Sequence, residues 1–327
     1  WLMSMSENQI SAPPPTVVIL LSDKRSGSTV FQDEFSKHPD VKSLGYSSHT
    51  YLESHHWLKA AVMLKRPERL FSGSKRYPNY GSVGNARTYM IDTILGNVPE
   101  FPEHEDDQAL ILEGWEALCR RHANPVFFEK SPQVLAHWAA LSLLLKWKRT
   151  TNCRVKLIGL IRNPLAVMHS SNMLFGSEPE VRQFGWVETY RNLLALSSML
   201  SEEELLVLRH EDILAEPHLK FADICKFVGL NPFSGMGDGI STSTQERWRE
   251  DEQYCLQLDH ATRQIALSFG YSETELENIR LPGRSHRRMR RFSLSRLFNE
   301  RKNQFRDRYY RPLKMRWQQY RRKKNVS

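Results

Sequence analysis

No run of eighteen or more apolar residues occurs in the 327-residue chain, so no membrane-spanning helix is encoded within it. Cysteine is scarce: Cys119, Cys153, Cys225 and Cys255 are widely spaced, and no C-x-x-C pair exists. That argues against a zinc site. Two readings of the cysteines stand: a Cys225–Cys255 disulfide in a secretory compartment, or four reduced, buried thiols. The only N-x-S/T acceptor is Asn325, two residues from the end. No internal repeat is present, which excludes a solenoid or propeller. A G-x-x-x-x-G-K-S/T phosphate loop is absent as well. The first residue is Trp rather than Met, so the expectation is a fragment or processed product with an upstream anchor or signal missing.

Charge is unevenly spread. From Arg284 to the C-terminus there are 17 Lys and Arg against two acids, Glu300 and Asp307, a balance of +15. The whole chain carries +9, so the remainder is mildly acidic, at −6. The high overall basicity therefore belongs to the tail and says nothing of a cationic active site.

The richest stretch is residues 16–35. The apolar run Val17–Leu21 breaks into Arg25-Ser26-Gly27-Ser28-Thr29, and helical spacing follows at Val30, Phe31, Glu34 and Phe35. Strand, tight loop and helix N-terminus in that order converge backbone N–H groups and a helix dipole on one spot, and an anion suits it. Ser26, Ser28 and Thr29 add hydroxyl donors and Arg25 a fixed charge; an ordinary Ser/Thr helix cap is the bland alternative. A second element, residues 156–175, runs from the apolar Leu157–Ile161 through Arg162-Asn163-Pro164 into a helical segment. Pro164 suits a first helical turn. Arg162 at a strand end presents a planar fork for two phosphate oxygens, with Ser170 two helical turns beyond.

Together these motifs resemble those of sulfotransferases that use 3′-phosphoadenosine 5′-phosphosulfate (PAPS). RSGST fits the family's phosphosulfate loop at every position, and Arg162 and Ser170 have the separation of its 3′-phosphate site. The helix followed by His38-Pro39-Asp40-Val41 resembles the carbohydrate branch, Golgi-type or bacterial. Softer matches are Phe127–Pro132 (FFEKSP), Leu206–Leu230 with its Arg-x-Glu-Asp segment, and Arg247–Tyr271, which resembles the closing helix with its terminal Gly-Tyr; the resemblance spans about residues 16–290.

The resemblance implies sulfuryl transfer from PAPS, without a metal, to an acceptor hydroxyl, with a glycan as the expected acceptor. Small-molecule, lipid and protein-tyrosine acceptors are the variants. Arg25, Ser26, Gly27, Ser28 and Thr29 would hold the phosphosulfate, and Arg162 and Ser170 the 3′-phosphate. Arg284 or Arg287, in or just after the basic loop Leu281–Arg284, would close over the nucleotide. Lys130 would be a second cation near the bridging oxygen. Relatives carry a Glu general base after the second strand, but Tyr46 occupies that position here, and a phenol with a pKa near 10 is a poor base at neutral pH. His49, Glu53, His55 and His56 are the nearby alternatives, His49 or Glu53 foremost. The compartment implied is the Golgi lumen if an anchor is missing, and otherwise the cytoplasm.

The expected fold class is α/β: a P-loop-like central parallel sheet with helices on both faces, plus a basic helical or disordered C-terminal tail. Residues 1–15 read as a stiff lead-in, 16–290 as the sulfotransferase domain and 291–327 as the tail. Within the domain, 47–107 reads as a substrate-facing insertion of loops and helices. Strands are expected at Val17–Leu21, Val41–Leu44, Val126–Phe128, Val155–Ile161 and Leu205–Leu208. Helices are expected at Pro132–Trp147, Pro164–Leu174, Val187–Leu200 and Pro217–Val228, with a mobile stretch at Ser234–Gly239. Ligands would sit at the carboxyl ends of the strands, where Arg25 and Arg162 share an edge. The tail spaces Leu294, Leu297, Phe298, Phe305, Tyr309, Leu313 and Trp317 helically among its cations, suiting an anionic glycan or a membrane surface; nucleic acid is not the expected partner. Two competing functions are a P-loop nucleotide kinase, which lacks its loop Lys here, and a non-enzymatic binder driven by the tail.

Overall fold

A computed structural model of the chain describes residues 14–49, 51–65, 83–241 and 247–280. The elements run β1 (Thr16–Ser22), α1 (Ser28–Phe35), β2 (Val41–Lys42), α2 (His56–Met63), α3 (Val83–Asn97), α4 (Asp107–His122), β3 (Val126–Lys130), α5 (Trp138–Thr150), β4 (Arg154–Ile161), α6 (Pro164–Phe175), α7 (Pro179–Met199), β5 (Leu205–Arg209), α8 (His210–Ala215), α9 (Pro217–Val228), α10 (Arg247–Glu250) and α11 (His260–Ser268). The strands form one five-stranded sheet in the order β2-β3-β1-β4-β5, every pairing parallel.

Every residue of β1 is buried, because this central strand has a helical layer over each face. Its side chains alternate between two cores. Val17, Ile19 and Leu21 join the larger core, packed with Trp57 of α2, Trp115 of α4, Trp147 of α5 and Leu193 of α7. Val18 and Leu20 join the smaller core, with Phe31 and Phe35 of α1 and Phe221, Ile224 and Cys225 of α9. A one-residue slip of β1 would exchange these two sets, which pins its register and hence the loop that follows it.

The register sets the site. Leu20 lies opposite Lys130 of β3 on one side and Ile158 of β4 on the other, and Ser22 lies opposite Leu160. The turn after β1 therefore emerges between the ends of β3 and β4. Of the expected strands, Val41–Leu44 shrinks to two residues, and the one at Val126–Phe128 extends to Lys130. The expected helix at Pro132–Trp147 splits into a 3-10 turn, Pro132–Val134, and α5; α7 starts eight residues earlier than expected, on Pro179 at its first turn. The Arg247–Tyr271 segment is two short helices rather than one, and the Asp259 side chain caps the second by accepting from Thr262 N.

Two expectations are corrected. Ser234–Gly239 is a tied turn, not a mobile stretch: Gly237 N donates to Glu34 Oε2 at 2.7 Å, and Met236 is buried. The four cysteines are unpaired: Cys225 sits in the smaller core and Cys255 is half-buried, unbonded to it. The expectations for the tail, for Arg284 and Arg287, for the lead-in up to residue 13 and for most of the turn-rich stretch Tyr77–Asn85 lie outside the described residues.

Candidate active site

The turn after β1 is shaped by two left-handed residues, Arg25 (φ 70) and Gly27 (φ 89), the latter capping α1. Glycine is required here on two counts. A side chain resists that backbone region, and a Cβ on Gly27 would lie 2.1 Å from His210 Cδ2. The first helical bond runs from Phe31 N to Gly27 O at 3.0 Å. The amides of Ser28, Thr29 and Val30 thus stand ahead of the helical ladder, at the positive end of the α1 dipole. Ser26 departs from its expected role: its buried hydroxyl bonds Tyr190 Oη at 3.0 Å, and Tyr190 in turn donates to Leu160 O at 3.0 Å. Ser26 therefore ties the loop to α7 and β4 instead of offering a donor to an anion. A neighbouring ion pair between Asp23 and Arg182 of α7 holds the loop base.

Arg25 and Arg162 meet, as the two strand ends require. Arg162 Nη1 donates to Arg25 O at 3.1 Å, and Arg25 Nε donates to Ser170 Oγ of α6 at 3.0 Å. Arg25 is exposed, while Arg162 is buried at 8% accessibility. Burial, then the neighbouring Arg25, pull the Arg162 guanidinium below its ordinary value, and the Glu211 carboxylate opposes them. Asn163 secures the start of α6: its side chain accepts from Leu165 N (2.9 Å) and donates to Glu275 O (2.8 Å), while its own amide donates to Glu211 Oε1 (2.9 Å).

Arg25, Arg162 and Ser170 line a cavity of about 340 Å3 together with Arg247, His169, Trp248, Met173 and Leu174. Three arginines on one concavity beside apolar walls make it a receptor for an anion joined to a less polar body. Sequence reasoning quoted Arg247 and Trp248 only as parts of a helix; their signal, an Arg-Trp pair in a late segment, is too common to single out. His169 is oriented by Asp251 Oδ2 at 3.0 Å.

The second cluster sits at the end of β3. Lys130 Nζ donates to Glu53 Oε1 at 2.7 Å, while Glu53 Oε2 faces His55 Nε2 at 3.2 Å and His49 Nδ1 at 3.4 Å. Lys130, Glu53 and His55 are buried; His49 is about a quarter exposed. Burial pushes the Glu53 carboxyl up, but His55, His49 and Lys130 outweigh it and hold the group down at about 2. Its backbone carbonyl accepts from Ser47 Oγ (2.6 Å) and Tyr89 Oη (3.0 Å). Tyr46, at the position where relatives carry Glu, is buried and donates to Asp92 Oδ2 at 2.6 Å. His56 points elsewhere in the fold, its Nε2 on Ile111 O at 2.9 Å. Lys24 of the loop feels the charge of Glu53, and Arg25 that of Tyr51, so this cluster and the loop are electrostatic neighbours.

Residues 15–234 match the model of a sulfotransferase family. Among solved structures, the chain is similar to the sulfotransferase domain of the Synechococcus PCC 7002 olefin synthase, with a TM-score of 0.55 at 20% identity over 82% of this chain and 99% of that one. It is likewise similar to the sulfotransferase domain from the curacin biosynthetic pathway, with a TM-score of 0.54 at 18% identity over 83% of this chain and all of the other. No curated protein sequence matches. The structural likenesses speak for the fold, and the family match, which spans two thirds of the chain, for the chemistry: this chain belongs to the sulfotransferase family.

Proposed function

We propose that the chain transfers a sulfuryl group from PAPS to a hydroxyl of its acceptor, a carbohydrate hydroxyl being the first choice. The observation that carries this is the bonded group Arg25–Ser170–Arg162 lining one cationic cavity at the carboxyl edge of the sheet. PAPS is a polyanion with a flat base, and the residues present fit it: in the cavity, guanidinium groups for phosphate and sulfate oxygens and Trp248, Met173 and Leu174 for the apolar part, and beside it the free-ended amides at the start of α1. When bound, it supplies the sulfuryl group.

Arg162 and Ser170 hold the 3′-phosphate in this reading. The Ser28 and Thr29 amides and hydroxyls, with Arg25, neutralise charge that grows on the leaving oxygen. Lys130 is poised for the same task from the neighbouring strand. Positioning and charge stabilisation supply most of the acceleration, as in phosphoryl transfer.

His49 takes the acceptor's proton. Of the two leading base candidates, Glu53 is held ionised at about 2 and is a weak base at neutral pH. His49 is the accessible partner, and Glu53 Oε2 at 3.4 Å orients its ring and stabilises the imidazolium that forms. Glu53 is therefore a positioning residue and Tyr46 a structural one.

The test is calorimetric and chemical. Folded protein should bind adenosine 3′,5′-bisphosphate, and incubation with PAPS should add the mass of a sulfate to one member of an acceptor panel. The panel holds glycans, tyrosyl peptides and small hydroxylated biosynthetic intermediates, the last because the similar domains are named for an olefin synthase and a biosynthetic pathway. Absence of nucleotide binding by folded protein would sink the reading.

A further inference from the structure

His49 and residues 51–55 carry more donor chemistry than a proton relay uses. They present one carboxylate and two imidazoles, His49, Glu53 and His55, whose ligand atoms all lie within 4.8 Å of one another. Two imidazoles and a carboxylate are a donor set of the zinc type, leaving a fourth position open.

The distances suit such an ion. Metal bonds of about 2.0–2.2 Å at tetrahedral angles place neighbouring donor atoms about 3.3–3.5 Å apart. The separations from Glu53 Oε2 are already 3.2 Å to His55 Nε2 and 3.4 Å to His49 Nδ1. The third edge, between His49 and His55, lies within 4.8 Å.

The backbone is set for this convergence. Leu52 (φ 55) and His55 (φ 49) both adopt the left-handed region, which folds the segment back on itself. The Glu53 carbonyl is fixed by Ser47 and Tyr89, and His55 N donates to Ser131 Oγ at 3.0 Å. Lys130 occupies Glu53 Oε1 and so leaves Oε2 toward the imidazoles. That is an outer-shell contact of the kind that aims a ligating carboxylate. The ammonium charge lowers the affinity for a cation, so the site suits reversible occupancy rather than a permanent structural metal. Its partly exposed member, His49, is the way in.

We propose that His49, Glu53 and His55 bind a zinc-class divalent ion, and that occupancy switches the transferase off. An ion on His49 Nδ1, the atom that faces Glu53, keeps the ring proton on Nε2, so the imidazole has no lone pair left for the acceptor's proton. The inhibitory half rests on the reading of His49 as base; the binding half does not. Magnesium, which prefers an all-oxygen octahedron, is excluded by the two nitrogens.

The experiment titrates Co2+ into the full chain without nucleotide and reads visible absorption, with far-UV circular dichroism as the control for folding. The expected result is one Co2+ per chain with the intense bands of a four-coordinate ion, displaced by one equivalent of Zn2+ and not by Mg2+. His49→Ala and Glu53→Gln should each weaken Co2+ binding at least tenfold while the fold persists. No bound Co2+, weak octahedral bands, or the same spectrum in folded His49→Ala protein would overturn the site. Sulfate transfer is then measured with and without equimolar Zn2+. Inhibition reversed by a chelator completes the proposal, whereas full activity with the ion bound removes His49 as the base and leaves the metal site standing.

Discussion

At the scale of single residues, Gly27 and Arg162 decide the donor side. Gly27 combines a left-handed backbone with a Cβ position 2.1 Å from a buried imidazole carbon. Gly27→Ala must accept a conformation that costs an L-residue about 1–2 kcal/mol and must also displace His210. Thermal denaturation should show a midpoint a few degrees lower, since each kcal/mol moves a chain of this size by about 1.5 °C. Arg162 is a different case, because its guanidinium is already buried and bonded to the loop. Charge-assisted hydrogen bonds contribute roughly 1.5–3 kcal/mol, so Arg162→Ala should weaken adenosine 3′,5′-bisphosphate binding by about 10- to 150-fold in calorimetry. Arg162→Lys should recover little, because an ammonium has no planar fork to span two phosphate oxygens while also reaching Arg25 O. An equal affinity for wild type and Arg162→Ala would remove this residue from the nucleotide site.

At the scale of elements, what was legible followed from local rules. Buried apolar runs located the strands, and the chain order of strand and helix implied the parallel sheet. The loop after β1 and the start of α6 were legible because each couples a strand end to a helix start within a few residues. The acceptor side was only half legible. His49, Glu53 and Lys130 are each visible singly, but their union depends on the parallel pairing of β2 with β3, which brings residue 130 to a segment 77 positions away. The helix α4 went unread, though Asp106 caps it and Leu110, Ile111, Gly114, Trp115, Leu118 and Cys119 recur with helical spacing. The cysteine pairing failed for the same reason as the acceptor cluster: proximity between elements is a property of packing. Cys119 of α4 and Cys153 ahead of β4 are instead the neighbouring thiols, and the Cys153 thiol also donates to Glu116 Oε2 at 3.9 Å. The Cys119 thiol, first among the causes, brings the Cys153 thiol down to about 7, while burial holds Cys119 well up. A half-exposed, low-pKa thiol beside a second thiol is the arrangement that exchanges with a disulfide oxidant. Oxidised glutathione should therefore link Cys119 to Cys153 and leave Cys225 and Cys255 unlinked, read by peptide mapping without reduction. A Cys225–Cys255 peptide in that map would contradict the packing described.

At the scale of the whole molecule, the sheet order divides the labour. The nucleotide cavity belongs to β4 and the base cluster to β3, with β1 between them, so the two lie about two strand spacings apart laterally, roughly 10 Å. Bringing charged groups to one buried edge leaves several of them strongly perturbed, and this makes stability depend on pH. Burial brings His56 down to about 4, opposed by its bond to Ile111 O, and His210 down to about 3 through burial and then Arg162. A His with a depressed folded value binds fewer protons folded than unfolded. Its unfolded form charges first as the pH drops below about 6.5, so stability is lost from there down to the folded value. Burial raises Asp23, Glu129 and Glu211, which have the opposite sign, so the wild-type profile alone mixes the two. The difference between wild type and His56→Gln separates them, because the acids are common to both. Glutamine keeps a donor for Ile111 O and cannot charge. At about 1.4 kcal/mol per pH unit, wild type should lose roughly 2 kcal/mol more than His56→Gln between pH 6.5 and 5 in urea denaturation. Parallel profiles for the two proteins would mean that His56 takes up its proton without leaving the fold, and that its place between Trp57 and Trp115 tolerates a charge.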